Sequence, residues 1–188
     1  TYKWNDYLLE KKYARELIDE GCVIISQHSD TAGPAIACEE TDVAVPVYLI
    51  SYNESMSDIA PTTYITGCKI NWKPYVTGAV AVLGGKSIEK TVKGHAVGND
   101  IGAGFDQGWV EMLKINDVVA AKGTAEKLKE VIEGFKKGKI QVFKGNYIGI
   151  NVDDPDDIYD LSGGYRENDN CSAPTFKYIL QDIITVEE

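Results

Sequence analysis

At 188 residues, 44% hydrophobic and 26% charged, the chain has enough apolar material for one globular unit with a real core and too little for two full domains. Its formal net charge of −10 excludes a nucleic-acid groove or a basic membrane-surface patch, since either needs clustered Lys and Arg. No stretch reaches the ~18 to 20 uninterrupted apolar residues of a membrane helix, and the opening Thr1-Tyr2-Lys3-Trp4 has no basic and apolar regions of a targeting segment, which would lie upstream.

Residues Asn5 to Glu20 carry Leu9, Tyr13, Ala14, Leu17 and Ile18 at helical spacing, with Asn5 or Asp6 as N-cap and Gly21 as stop. The helix leads into Cys22 to Ser26, a continuous apolar run of the kind buried on both faces of a parallel sheet. A loop from Gln27 to Gly33 then reaches Pro34 at the start of a short helix ending near Glu40, and Val45 to Ser51 forms a second buried strand. Two such units predict an α/β fold with a doubly wound, mostly parallel sheet. After a polar loop from Tyr52 to Pro61 come a short strand, Thr63 to Thr66, and a helix from Asn71 to Leu83 that Gly84-Gly85 ends. Residues 90 to 115 alternate β-rich pieces, Thr91 to Val97 and Trp109 to Ile115, around a Gly-rich turn, which predicts a hairpin or an antiparallel edge. Thr124 caps a helix carrying Leu128, Val131, Ile132 and Phe135, stopped by Gly138. Ile140 to Phe143 is a strand candidate, and Lys144 to Asn170 carries few signals. A last helix, capped by Ser172 with Pro174 in its first turn, buries Phe176, Ile179, Leu180 and Ile183.

The signatures of catalysis are missing: there is no GxGxxG, no GxxxxGK[ST] and no GxSxG. Gly98 to Gly104 is glycine-rich but lacks the lysine and following helix of a phosphate cradle, so it reads as a turn. The run Asp153 to Asp157 lacks the spacing of a calcium loop and reads as a solvated acidic turn. Four widely spaced cysteines, Cys22, Cys38, Cys68 and Cys171, with His28 and His95, make no zinc pattern and read as buried free thiols. What remains lies at the carboxyl ends of the strands, where open α/β sheets bind ligands. Gln27 to Gly33, Tyr52 to Ser55 and Gly67 to Trp72 combine carboxylate, amide, ammonium and aromatic groups with no activated nucleophile, which suits holding a polar, ring-bearing solute.

These loops and their order carry a resemblance. The aromatic-Asn-Asp opening at Trp4 to Asp6, the run Leu17 to Asp30, Ala60-Pro61, Thr63-x-Ile65-Thr66, Lys69-x-Asn71-Trp72, Gly108 to Leu113, Ile132 to Gly145 and the closing Ser172-Ala173-Pro174 resemble, across nearly the whole chain, the second lobe of the basic-membrane-protein (Bmp/PnrA-like) substrate-binding lipoproteins of ABC importers. The resemblance implies residues 1–188 as one α/β lobe of a type I periplasmic-binding-protein fold, the first lobe being absent. It further implies a purine nucleoside or related solute as ligand, an ABC permease as partner, and an extracellular position held by a lipid anchor. Where family members place an Asp this sequence has Asn53, which still bonds ribose hydroxyls but without charge assistance. The expected ligand-binding residues are Trp4, His28, Asp30, Asn53, Lys69 and Trp72, with Trp72 stacking on a base; no catalytic residue, metal or cofactor is expected. A ligand-sensing regulator of the same family is the alternative, and an unrecognised α/β enzyme the third reading. By the same resemblance, residues 67–85 include a helix crossing toward the first lobe. Its face of Val76, Ala79, Val80 and Leu83 is then expected either to fold back on its own lobe or to pack on a second copy as a homodimer.

Overall fold

The computed structural model describes residues 3–92, 94–97, 100–165 and 175–184. In chain order the elements are α1 (Tyr7–Asp19), β1 (Ile24–Ser26), α2 (Gly33–Glu39), β2 (Tyr48–Tyr52), β3 (Tyr64–Ile70), α3 (Lys73–Leu83), α4 (Ile88–Thr91), β4 (His95–Val97), β5 (Asp100–Gly102), β6 (Val110–Met112), α5 (Thr124–Lys136), β7 (Ile148–Asn151), β8 (Asp154–Asp160) and β9 (Tyr178–Leu180). They divide between two compact units, one of Thr1–Thr77 with Gly108–Glu130, the other of Gly78–Gln107 with Val131–Glu188.

The first unit is α/β, built on a four-stranded sheet of order β1-β2-β3-β6. β1, β2 and β3 run parallel, and β6 closes the order as the expected antiparallel edge. Asp6, not Asn5, caps α1: its carboxylate accepts from the Leu9 amide at 3.2 Å. The helix ends in a Schellman turn, with the Gly21 amide donating to the Ile18 carbonyl and the Cys22 amide to the Leu17 carbonyl, 2.9 Å each. Gly21, at φ 96°, takes the left-handed position that this turn requires.

Both anticipated buried strands exist, are adjacent and are parallel, but their ends differ. Pro46 cannot donate to a ladder, so the second strand starts at Tyr48 rather than Val45. Burial also alternates instead of covering both faces. Ile25, Leu49, Ser51 and Tyr64 are buried, while Ile24 is 55% exposed. The helices account for this, because Ala14 and Ile18 of α1 and Ala35, Ala37 and Cys38 of α2 join Ile25, Leu49 and Tyr64 in one core. Burial and the neighbouring Glu39 carboxylate push the Cys38 thiol up to about 11, so it is an inert core group. In the other row Tyr48, Ile50 and Tyr52 of β2 are only half-buried.

Two glycines set the packing distances. A Cβ on Gly33 would stand 2.7 Å from the Tyr7 carbonyl oxygen and 2.9 Å from the Lys11 nitrogen, so α1 and α2 cross with their backbones nearly touching. A Cβ on Gly67 of β3 would run into Ser51 of β2.

Of the residues of α3 only Gly78 is buried, and Val80 and Leu83 are 62% and 89% exposed, so the first of the two expected outcomes, a face folded back on the chain, is not seen.

In the second unit β4 pairs antiparallel with β5, whose residues Asp100–Gly102 fall within the stretch read as a Gly-rich turn, so the hairpin does not join Thr91 to Val97 with Trp109 to Ile115 as expected. The expected strand at Ile140 to Phe143 is absent, because the chain there is spent ending α5. Gly138 (φ 63°) and Lys139 donate to the Phe135 and Gly134 carbonyls, and Ile140 folds onto Gly134. The stretch read as irregular holds two strands instead, and β7 pairs antiparallel with both β8 and β9. The acidic run lies largely in β8, an edge where Pro155 is tolerated. There Asp157 accepts from Lys177 Nζ, from Asn151 Nδ2 at 3.0 Å and from the Tyr178 hydroxyl at 3.1 Å. Residues Tyr178 to Leu180 are strand, not helix, since Phe176, Tyr178 and Leu180 also satisfy the period of two. The anticipated cap at Ser172 and Pro174, like Cys171, lies outside the described residues. Phe143, Tyr159, Tyr165, Phe176 and Tyr178 pack edge and tilted with centroids 4.9 to 6.4 Å apart.

The α1–α2 crossing yields a test. Backbone atoms cannot yield as a flexible side chain would, so Gly33→Ala is expected to lower the unfolding free energy by about 2 to 3 kcal/mol, read from urea denaturation. An unchanged midpoint would mean that the helices can separate freely.

Candidate functional site

Because β1, β2 and β3 run parallel, the loops leaving them emerge at one end of the sheet. The Gln27 amide donates to the Ile50 carbonyl at 3.2 Å, and the Asn53 amide to the Cys68 carbonyl at 2.7 Å. The Gln27 to Gly33 and Tyr52 to Ser55 loops thus leave the sheet side by side, whereas Gly67 to Ile70, anticipated as a loop, extends β3 beyond Thr66, so that only Asn71 and Trp72 follow the strand.

The first of them is held by a buried carboxylate. Glu10, in the first turn of α1, is 3% exposed. It accepts from Ser29 Oγ (2.8 Å), Thr31 Oγ1 (2.6 Å), the Thr31 amide (3.2 Å) and the Asp6 amide (3.0 Å). Burial alone would raise the Glu10 carboxyl, but the bonds from Thr31, Asp6 and Ser29 outweigh it and hold the group below the ordinary glutamate range. Gln27 finishes the loop from inside, donating to the Ser29 and Thr31 carbonyls at 2.9 and 3.0 Å. Its Oε1 is buried and has no partner among the described residues.

On this frame the residues expected to bind form two groups. In the first, His28 lies 4.3 Å from Tyr52 and 6.0 Å from Trp4, ring centroid to centroid, and the Asp30 amide donates to the Trp4 carbonyl at 2.9 Å. Trp4, His28 and Asp30 are all exposed. Trp4 and His28 border an open cleft of about 580 Å³ whose walls include Tyr13, Leu17, Ile25 and Gln27. Its lining combines polar and aromatic side chains with aliphatic ones.

The second group sits where β2 and β3 end. Asn53 has φ 59°, a left-handed conformation that Asn tolerates, and its Oδ1 accepts from the Ile70 amide at 3.2 Å. Lys69 pairs with Glu111 across the β3–β6 ladder at 3.3 Å, and Asn71 Nδ2 bonds the same carboxylate at 2.9 Å. Trp72 is 60% exposed and meets Tyr75 edge-on at 6.5 Å; Tyr75 in turn meets Trp109 at 6.0 Å. Asn53, Lys69 and Trp72 do not line the 580 Å³ cleft, and the Tyr52-Asn53 step joins the two groups.

Sequence reading missed Glu10, Tyr52 and Glu111. Glu10 shares the Glu10–Ala14–Ile18 stripe of α1 with two buried residues, a placement that by itself demands partners for a carboxylate. Among the described residues no group of three or more His, Cys, Asp and Glu could hold a metal ion, and no helix is long and apolar enough to cross a membrane.

The family model for PnrA-like ABC transporter substrate-binding proteins (Bmp) matches residues 1–143. Among solved structures, the chain is similar to an ABC transporter system solute-binding protein from Conexibacter woesei DSM 14684, with 17% identity and a TM-score of 0.52. The match covers 74% of this chain and 43% of that one, so the chain spans less than half of that neighbour's length. At that identity the likeness is one of fold. No curated protein matches the chain.

The Glu10 network predicts a pH dependence with a definite sign. A carboxyl held below its unfolded value of about 4.3 contributes stability that is full above that pH and is lost as the pH falls through the lower folded value. Glu10→Gln is expected to cost about 2 kcal/mol at pH 7 and to show a smaller drop in stability between pH 6 and pH 3 than the parent, by urea melts at both. A parallel pH profile for the two proteins would assign the acid sensitivity elsewhere.

Proposed function

The chain belongs to the PnrA-like family of ABC transporter substrate-binding proteins, and on that premise we propose that it captures a small polar solute, a purine nucleoside or a close relative, for delivery to an ABC permease. The observation that supports the reading is the aromatic group of Trp4, His28 and Tyr52, gathered where β1 and β2 end beside an open cleft. The exposed faces of Trp4 and His28 can each stack on a planar base, and stacking of this kind contributes about 1 to 3 kcal/mol. Asn53, Asp30 and Lys69 offer the amide, carboxylate and ammonium that fix a sugar. No step of the reading is catalytic, since His28, Asp30 and Lys69 have no activated nucleophile beside them.

In this reading residues 1–188 are the second lobe of a two-lobed receptor, which agrees with a span of 43% of the structural neighbour. The receptor works outside the cytoplasmic membrane on a lipid anchor. Val76, Val80 and Leu83, exposed on α3, are then covered by a second copy of this chain. Burying such side chains is worth about 1.5 to 3 kcal/mol each.

Two measurements test this. Calorimetry with adenosine, guanosine and inosine should show binding that His28→Ala weakens about tenfold or more, a loss of 1.4 kcal/mol or greater; no binding of any of the three, or no effect of the substitution, would sink the nucleoside reading. Sedimentation over a range of concentrations should show a dimer that Val80→Glu dissociates, and a strict monomer would remove the second copy from the account.

A further inference from the structure

A smaller cleft of about 290 Å³ in the first unit shares no residue with the one beside His28. It is lined by the β2–β3 connection, the start of β3 and the chain after β6, through Ser55, Ser57, Tyr64, Lys114, Asp117 and Val118, with Ile115 among them. Its walls are fixed. The Asn116 amide donates to the Ile65 carbonyl at 2.8 Å, Asn116 Nδ2 donates to the Pro61 carbonyl at 3.0 Å, and the Ser55 and Ser57 hydroxyls bond each other at 3.0 Å.

The charged groups of this cleft are unspent. Lys114 and Asp117 make no hydrogen bond or ion pair with any described residue, not even with each other. The Tyr64 hydroxyl in the wall is buried and also without a partner. A buried polar group is nearly always hydrogen-bonded, so the Tyr64 phenol marks this space, and the solvent-exposed Lys114 and Asp117 stand around it with an aliphatic side formed by Ile115 and Val118. A volume just under the roughly 300 Å³ at which ligand pockets begin suits one molecule smaller than a nucleoside.

We propose that this cleft is a second binding site, separate from the strand-end site, for an α-amino acid with an aliphatic side chain. The Lys114 ammonium takes the carboxylate of the ligand, the Asp117 carboxylate takes its α-ammonium, and Ile115 and Val118 take its side chain. The two charges recognise a zwitterion jointly, so a molecule carrying only one of them binds less well.

The test is calorimetry on the protein with L-leucine, with L-leucinamide, which lacks the carboxylate, and with 4-methylvalerate, which lacks the ammonium. Leucine is expected to bind, both analogues at least tenfold more weakly. Lys114→Met and Asp117→Asn change exposed side chains without protein partners, so they should keep the parent melting temperature while each weakens leucine at least tenfold. No leucine binding, 4-methylvalerate binding as tightly as leucine, or leucine affinity unchanged in both variants would overturn the proposal. Adenosine binding and its loss in His28→Ala are read separately, so failure here leaves the strand-end site standing.

Discussion

One buried carboxylate organises the strand-end face. Glu10 leaves water with a full set of donors around it, two hydroxyls and two amides, and three of the four come from Ser29 and Thr31, about twenty residues further along the chain. An ionised group in a core is tolerated only when its lone pairs are occupied in this way. The loop after β1 therefore has little freedom, because moving Ser29 or Thr31 would strand the charge. His28 lies inside that clamped segment, and so it meets Tyr52 on one side and Trp4 on the other.

The clamp also explains how a three-residue strand can position a site. β1 contributes only Ile25 to the core, and its register against β2 rests on the pairs Ile24 with Tyr48 through Ser26 with Ile50. Glu10 ties the segment after it to α1, the close crossing at Gly33 ties α1 to α2, and α2 returns the chain to β2. A short strand within a closed circuit of this kind is held at both ends. At the other end of the face, Asn53 and the Lys69–Glu111–Asn71 set serve β2, β3 and β6 in the same way, with exposed rather than buried charges.

Much of this was legible in the sequence. The helix from Tyr7 has a helical period and the runs at Ile24 and Tyr48 are continuous apolar segments, and parallel strands end at the same edge of their sheet. Which part of the α1 face is buried was not legible, because Leu9, Tyr13, Ala14, Leu17 and Ile18 all fit the helical spacing, and the charge of Glu10 kept it out of that set although it is buried with Ala14 and Ile18. Tyr13 and Leu17 instead border the cleft. The division of the expected binding residues into two groups was likewise hidden, since it depends on where α1 lies against the sheet. The β7–β9 sheet was missed for a different reason. Its strands are shielded by an acidic run whose Asp157 is neutralised by Lys177, twenty residues away, and no local pattern announces such a partner.

The span of the Glu10 bonds bears on how the chain folds. Its partners lie no more than 21 residues away, whereas β6 must return to β3 across gaps such as the 47 residues between Thr66 and Leu113. Closing a short loop loses less entropy than closing a long one, and contacts of low sequence separation form fast. Sequence separation therefore favours early assembly of the segment from α1 to β2, with the His28 end of the face, over the β3–β6 pairing that sets Glu111 opposite Lys69. Damage to an early segment slows folding, while damage to a late edge hastens unfolding. The two ends of the strand-end face therefore differ in kinetic character.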